Sequence, residues 1–173
     1  MADYGLLAKQ IVSLAEVDAH WLPVLSNAAA LLWDALDDIN WAGFYLVDPA
    51  TVSGAELDAD PSAHEPCIPE LRLGPFQGKV ACVRIPFGQG VCGTAAAIKT
   101  SQLVEDVHQF PGHIACDSAS NSEVVVPIFK DGQVVGVLDI DSPSVARFTQ
   151  EDLAGLEQVV KALESCANFS DFC

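Results

Sequence analysis

Three places in the chain hold residue types capable of chemistry. The first is H-I-A-C-D-S-A-S-N-S-E at 113–123, which sets Cys116 between His113 and Asp117. Few residues there favour helix or strand, and loops on rigid scaffolds are where reactive groups concentrate. A thiol with polar neighbours is a candidate nucleophile. A solvated loop with an incidental cysteine explains the same composition, so both readings stand at this point. The second place is V-L-D-I-D, where Asp139 and Asp141 close a strongly apolar strand. Acids are poor strand formers, and a spacing of two points both side chains to one face. Glu123 opens the neighbouring strand. Three carboxylates at one site would repel each other, raise at least one pKa and keep a proton available for donation. A frayed, solvated strand end is the rival explanation. The third place is the pair Cys82 and Cys92, in K-V-A-C-V-R-I and G-V-C-G-T-A-A. Either could meet Cys116, and a thiol that becomes oxidised needs a second thiol to resolve it.

Convergence of the carboxylates depends on strand register. E-V-V-V-P-I-F and Q-V-V-G-V-L-D-I-D read as strands joined at Lys130-Asp131-Gly132, and Asp-Gly is a strong hairpin signal. With Asp131-Gly132 as a two-residue loop, Lys130 pairs with Gln133 and Glu123 pairs with Ile140. Glu123 then lies on the face opposite both aspartates. Bringing the three together requires a three-residue loop, a β-bulge, or Glu123 leaving from the loop before the strand starts. One of these is expected.

The elements that must position these groups follow from periodicity and turn chemistry. Residues 1–38 read as two N-terminal helices with a break near Ala19-His20, and Pro23 suits a helix start. W-A-G-F-Y-L-V, 41–47, has strand composition. Residues 48–69 are rich in Pro, Ala and acids and read as a loop insertion carrying Cys67. E-L-R-L and K-V-A-C-V-R-I-P-F read as two short strands around a Gly-Pro-Phe-Gln-Gly turn at 74–78. A short helix is expected over Val91–Lys99 and a strand at Q-L-V. A C-terminal helix spans 149–168, with Thr149 as N-cap and Asp152 where a capping box prefers Glu or Gln. Strands and helices do not alternate strictly, so the fold class is α/β of the α+β type: a central antiparallel sheet flanked by helices, in one domain over 1–173.

Composition narrows the function. The 173 residues carry 8 Lys plus Arg against 24 Asp plus Glu, a net charge of −16. That field repels phosphate backbones and anionic membranes, so no nucleic-acid or membrane partner is expected. No apolar run reaches bilayer length and the N-terminus lacks a secretory pattern, so the expected compartment is the cytoplasm. There are 6 cysteines but no C-x-x-C, which argues against a zinc ribbon. In a cytosolic chain of this size each cysteine is by default a small buried hydrophobe rather than half of a disulfide. His20 and His64 read as solvated, and Trp21 and Trp33 as core or interface.

Together these stretches resemble the free methionine-(R)-sulfoxide reductases, enzymes built on a single GAF domain. The matching segments are W-A-G-F-Y-L (41–46), L-G-P-F-Q-G-K-V-A-C (73–82), G-Q-G-V-C-G-T-A (88–95), V-E-D-V-H-Q-F-P-G-H-I-A-C-D (104–117), S-N-S-E (120–123) and G-V-L-D-I-D-S-P (136–143). The resemblance implies an antiparallel GAF sheet. It implies Cys116 as nucleophile, Cys82 as resolving cysteine and Cys92 as an auxiliary third. It places Glu123, Asp139 and Asp141 on the carboxylates that hold the substrate, and Trp41 and Tyr45 on the pocket's aromatic wall. It further implies free methionine-(R)-sulfoxide as substrate, a Cys82–Cys116 disulfide, a thioredoxin-like dithiol reductant, a homodimer, and neither cofactor nor metal. The 48–69 loop exceeds the family's expected length, and Cys67, Cys166 and Cys173 match no family motif.

Three rivals remain. A GAF module that only senses a small molecule would ordinarily be joined to an output domain, and an acidic pocket suits an anionic nucleotide poorly. His108, His113 and Cys116 are a loosely spaced metal-ligand set. A thiol switch without substrate would use the cysteines alone.

Overall fold

The computed structural model describes residues 2–52, 68–112 and 118–172. Two amphipathic helices open the chain, α1 (Tyr4–Ala15) and α2 (Trp21–Ala35). The break between them lies where the sequence places it. His20 stays exposed yet acts as a helix cap, its Nδ1 accepting the Leu22 amide at 3.2 Å at the start of α2. Strand β1 (Trp41–Val47) follows, buried along its whole length. Within 48–69, Pro49–Val52 form a single helical turn, α3, rather than loop; Cys67 and His64 lie outside the described residues.

The chain continues through β2 (Glu70–Gly78), β3 (Arg84–Pro86), α4 (Gly90–Ile98), β4 (Gln102–Val104), β5 (Ser122–Lys130), β6 (Gln133–Ser142) and α5 (Gln150–Cys166). The six strands form one antiparallel sheet in the order β3-β2-β1-β6-β5-β4. The expected turn at 74–78 is absent. Those residues extend β2 and pair with β1, Trp41 opposite Gly78 and Gly43 opposite Phe76. Gly74 and Pro75 signal a turn by type, but here they sit at a register shift between Gly43 and Tyr45, where a bulge tolerates both. The following strand shrinks accordingly to the three residues of β3.

The sheet has two apolar faces. One packs on α1, α2 and α5 through Phe44, Leu46, Val124, Val126, Leu138 and Ile140. The other packs beneath α4 through Tyr45, Val47, Leu71, Val125 and Val137, against Val91, Cys92, Ala95 and Ala96. The layer of long helices is fastened by one polar cluster. Thr149 and Asp152 form a complete capping box, so Asp serves where Glu or Gln is preferred. Tyr4 then donates to Asp152 Oδ1 at 2.6 Å, tying α1 to the start of α5.

Register settles the convergence question. Lys130 pairs with Gln133, so Asp131-Gly132 is the two-residue loop read from sequence. Asp131 and Gly132 both take positive φ, as a type I′ turn demands. Phe129 pairs with Val134 and Ile128 with Gly136, leaving Val135 as an extra residue. That bulge moves Glu123 from Ile140 to Asp141, onto the face under α4.

Gly43 marks a close approach on that face. A Cβ there would lie 2.3 Å from Phe76 Cβ and 2.7 Å from Trp41 Cη2. Overpacking of this kind costs about 1–3 kcal/mol. Gly43→Ala is therefore expected to lower unfolding stability by that amount in urea titration; a loss below about 0.5 kcal/mol would contradict the close approach.

Candidate functional site

The site forms where α4 crosses the β1-β6-β5 region of the sheet. Trp41 lies opposite Asp141, and Gly43 opposite Asp139. Asp139 is in turn opposite Val125, and Glu123 is opposite both Asp141 and Val104. Same-face alternation therefore brings Trp41, Asp141 and Glu123 into one row and Gly43 and Asp139 into the next. Cys92, on α4, closes the cluster from above: its Sγ lies 3.8 Å from Glu123 Oε1. Donor atoms of Cys92, Glu123 and Asp139 all fall within 4.8 Å of one another.

These groups are deeply buried. Cys92 is 3% exposed, and Glu123 and Asp139 are each 6% exposed. No ion pair to Glu123 or Asp139 is present among the described residues, and Asp139 Oδ1 has no hydrogen-bond partner. Burial of a carboxylate without a cationic partner favours its neutral form, against which hydrogen bonds with Cys92 and between the two acids pull Asp139 down. Asp139 is pushed up to about 6, chiefly by burial. Burial, then the charges of Asp139 and Asp141, holds Glu123 well above the usual carboxylate range. The Cys92 thiol rises for the same reasons, burial first and then Asp139 and Glu123. Burial and the Asp139 charge likewise raise Tyr45. Asp141 is half-buried beside them.

Aromatic side chains wall the cluster. Trp41 stacks on Tyr45 with centroids 5.7 Å apart and on Phe76 at 5.2 Å, nearly parallel at 14°. Trp41 Nε1 donates to the Lys79 carbonyl at 3.2 Å, which fixes the indole. Phe76 is the wall residue that the sequence reading missed, because it sat inside the expected turn. The usable signal was Gly43: a glycine between Trp41 and Tyr45 on one strand leaves room for a bulky neighbour.

Cys82 is half-buried, packs against the core under α4 and is disulfide-bonded. Cys92 and Cys166 are free thiols. The partner of Cys82 is thus none of the described cysteines, and Cys92 is not bridged to it. Cys116, His113 and Cys173 lie outside the described residues. The segment leading into β5 is pinned beside the cluster. The Asn121 amide donates to Ser142 O at 2.7 Å, its side chain donates to Pro143 O at 2.6 Å, and its carbonyl accepts the Val107 amide at 3.0 Å. His108, from the metal-ligand set considered above, is exposed and has its Nε2 3.0 Å from Asn121 Oδ1. Asn40 reaches the same segment, donating to Ser120 Oγ at 3.0 Å.

A six-stranded antiparallel sheet with three helices on one face and a polar cluster under a short helix on the other is a GAF architecture. The GAF domain family matches residues 9–166, and the chain belongs to it. Within that family the chain is 48% identical over 169 residues to the free methionine-R-sulfoxide reductase of Escherichia coli (strain K12), covering 98% of this chain and 91% of that protein. Two solved structures are as similar. The reduced form of fRMsr of Staphylococcus aureus matches with a TM-score of 0.80, 50% identity and coverage of 97% of each chain. The free methionine-R-sulfoxide reductase from Neisseria meningitidis, solved in complex with its substrate, matches with a TM-score of 0.80 and 42% identity over 94% of this chain and 86% of that one. No described helix is long and apolar enough to cross a membrane.

The raised carboxylates have a consequence for stability. An acid whose folded pKa exceeds its unfolded value near 3.9 binds protons more tightly when folded, so its contribution is lost as pH rises through the folded pKa. For Asp139 the window runs from about pH 4 to beyond 6. The melting temperature of Asp139→Asn minus that of wild type, both ligand-free, is therefore expected to increase steadily across that window. A flat difference would show that Asp139 titrates normally.

Proposed function

We propose that the chain reduces free L-methionine-(R)-sulfoxide to methionine, with Cys116 as nucleophile, Cys82 as resolving cysteine and a thioredoxin-like dithiol as reductant. The observation that carries this reading is the uncompensated carboxylate cluster of Glu123 and Asp139, with Asp141 beside it. Two buried acids without a cationic partner among the described residues are a site for a ligand that brings its own. A free amino acid brings an ammonium group; a methionine residue inside a peptide does not, and would leave these groups poorly paired. Trp41 and Tyr45 supply an apolar wall for the thioether end, and the names of the relatives point to the same substrate.

The chemistry needs an acid and a thiolate. A sulfoxide sulfur is a poor electrophile until its oxygen is protonated. Glu123, which burial and the neighbouring aspartates hold well above the usual carboxylate range, supplies that proton while the Cys116 thiolate attacks sulfur, and Asp139, raised only to about 6, keeps its charge at neutral pH. A bond forms between Cys116 and the substrate sulfur as the protonated S–O bond breaks and water leaves; water then attacks the Cys116 sulfur, breaking that bond, so that methionine departs and Cys116 becomes a sulfenic acid. Cys82 attacks the sulfenic sulfur, water leaves and a Cys82–Cys116 disulfide forms. Two thiols of the external dithiol then reduce that bond by exchange. The disulfide-bonded state of Cys82 supports its resolving role. Cys92, free and against Glu123, is auxiliary: it lines the acid pair. The homodimer implied by the resemblance would use α1 and α2, which expose Leu6, Leu14, Leu22 and Trp33.

Methionine release from the free (R) and (S) sulfoxides, with dithiothreitol as reductant, tests the reading. Only the (R) epimer is expected to react, and Cys116→Ser to abolish turnover. Without reductant, Cys82→Ser is expected to release one methionine per chain and then stop, with a sulfenic acid trapped on Cys116. Multiple turnovers in Cys116→Ser would remove the assigned chemistry. Asp139→Asn is expected to lower kcat/KM about ten- to a hundredfold, the loss of a charge-assisted interaction of about 1.5–3 kcal/mol.

A further inference from the structure

We propose that Cys92, Glu123 and Asp139 also form a binding site for a thiophilic divalent cation such as Zn2+, and that this ion occupies the place assigned above to the substrate ammonium. This set shares no residue with the loop histidines considered from the sequence. It joins one sulfur and two carboxylates on α4, β5 and β6, elements held by helix and sheet hydrogen bonds. The donor atoms lie within 4.8 Å of one another. The Cys92 Sγ to Glu123 Oε1 distance is 3.8 Å. Ligands on a tetrahedral zinc, with Zn–S about 2.3 Å and Zn–O about 2.0 Å, stand roughly 3.5 Å apart, so a small side-chain adjustment closes the set. A further feature points to a ligand: Asp139 is 6% exposed, its carboxylate hydrogen-bonds Cys92 and Glu123, and its Oδ1 still has no hydrogen-bond partner among the described residues. An acceptor in that state is unfavourable unless something fills its lone pairs.

Donor chemistry selects the ion. Ca2+ and Mg2+ require six or more oxygen ligands, and a thiolate disfavours both. One sulfur with two carboxylate oxygens suits a borderline-soft ion that accepts three protein ligands and leaves a fourth position open. Three anionic donors more than neutralise a dication, so the ion displaces the thiol proton and any carboxylate proton on binding. The ion site itself does not depend on the reductase reading; the shared occupancy does.

Titration of the protein in its Cys82-disulfide form with Co2+, followed by near-ultraviolet absorbance and by Zn2+ displacement, tests this. Wild type is expected to take one ion per chain and to show a thiolate-to-cobalt charge-transfer band. Cys92→Ser is expected to lose the band and Asp139→Asn to weaken binding at least tenfold, while Cys166→Ser keeps both. Free methionine-(R)-sulfoxide is expected to displace the ion competitively. Binding that Cys92→Ser and Asp139→Asn leave unchanged, or no binding at all, overturns the site. A band that the sulfoxide does not diminish overturns the shared position. Dithiothreitol-driven turnover in metal-free buffer reports on the reductase reading separately.

Discussion

One inserted residue governs the site. Without Val135 as the extra member of β6, the hairpin closed by Asp131-Gly132 would set Glu123 against Ile140, among the apolar side chains facing α1, α2 and α5. With it, Glu123 faces Asp141 beneath α4. A bulge reverses the inside-out alternation beyond it, and the same strand therefore contributes Val135, Leu138 and Ile140 to one core while Asp139 and Asp141 serve the other face. The approach of Glu123 to Asp139, Asp141 and Cys92 depends on that shift.

The cluster is costly for the fold. Glu123, Asp139 and Cys92 sit under a helix without a cationic partner among the described residues. The surroundings keep them there by rigidity. β1 is buried from end to end, α4 packs through Val91, Ala95 and Ala96, and Asn121 pins the entry to β5 against the end of β6. Sites held against their own electrostatics trade stability for function. The same uncompensated charge accounts for proton retention by the acids, for selection of a ligand that carries a cation, and for affinity toward a divalent ion.

Much of this was legible in the residues. The spacing of Asp139 and Asp141, the Asp131-Gly132 turn and the Thr149 cap are local signals, and local signals survive folding. The need for some departure from the plain hairpin was also legible, as a longer loop, a bulge or an early exit of Glu123; that it is a bulge was not. Nor was its place, since V-V-G-V carries no mark of which residue will go unpaired. The stretch at 74–78 misled for a related reason: Gly74 and Pro75 are turn residues by propensity, but pairing with β1 overrides propensity and a bulge absorbs them. Phe76 was hidden inside that error. Burial of Cys92 against Glu123 is a long-range contact between α4 and β5 that no local pattern encodes.

The central claim is that a buried, uncompensated carboxylate cluster selects a substrate bearing its own ammonium. The direct measurement is kcat/KM for free methionine-(R)-sulfoxide against its N-acetylated counterpart, with the same reductant and the same protein. The account predicts a preference for the free amino acid of roughly a hundredfold or more, and its collapse toward equality in Asp139→Asn. Equal turnover of both substrates by the wild-type protein would contradict it.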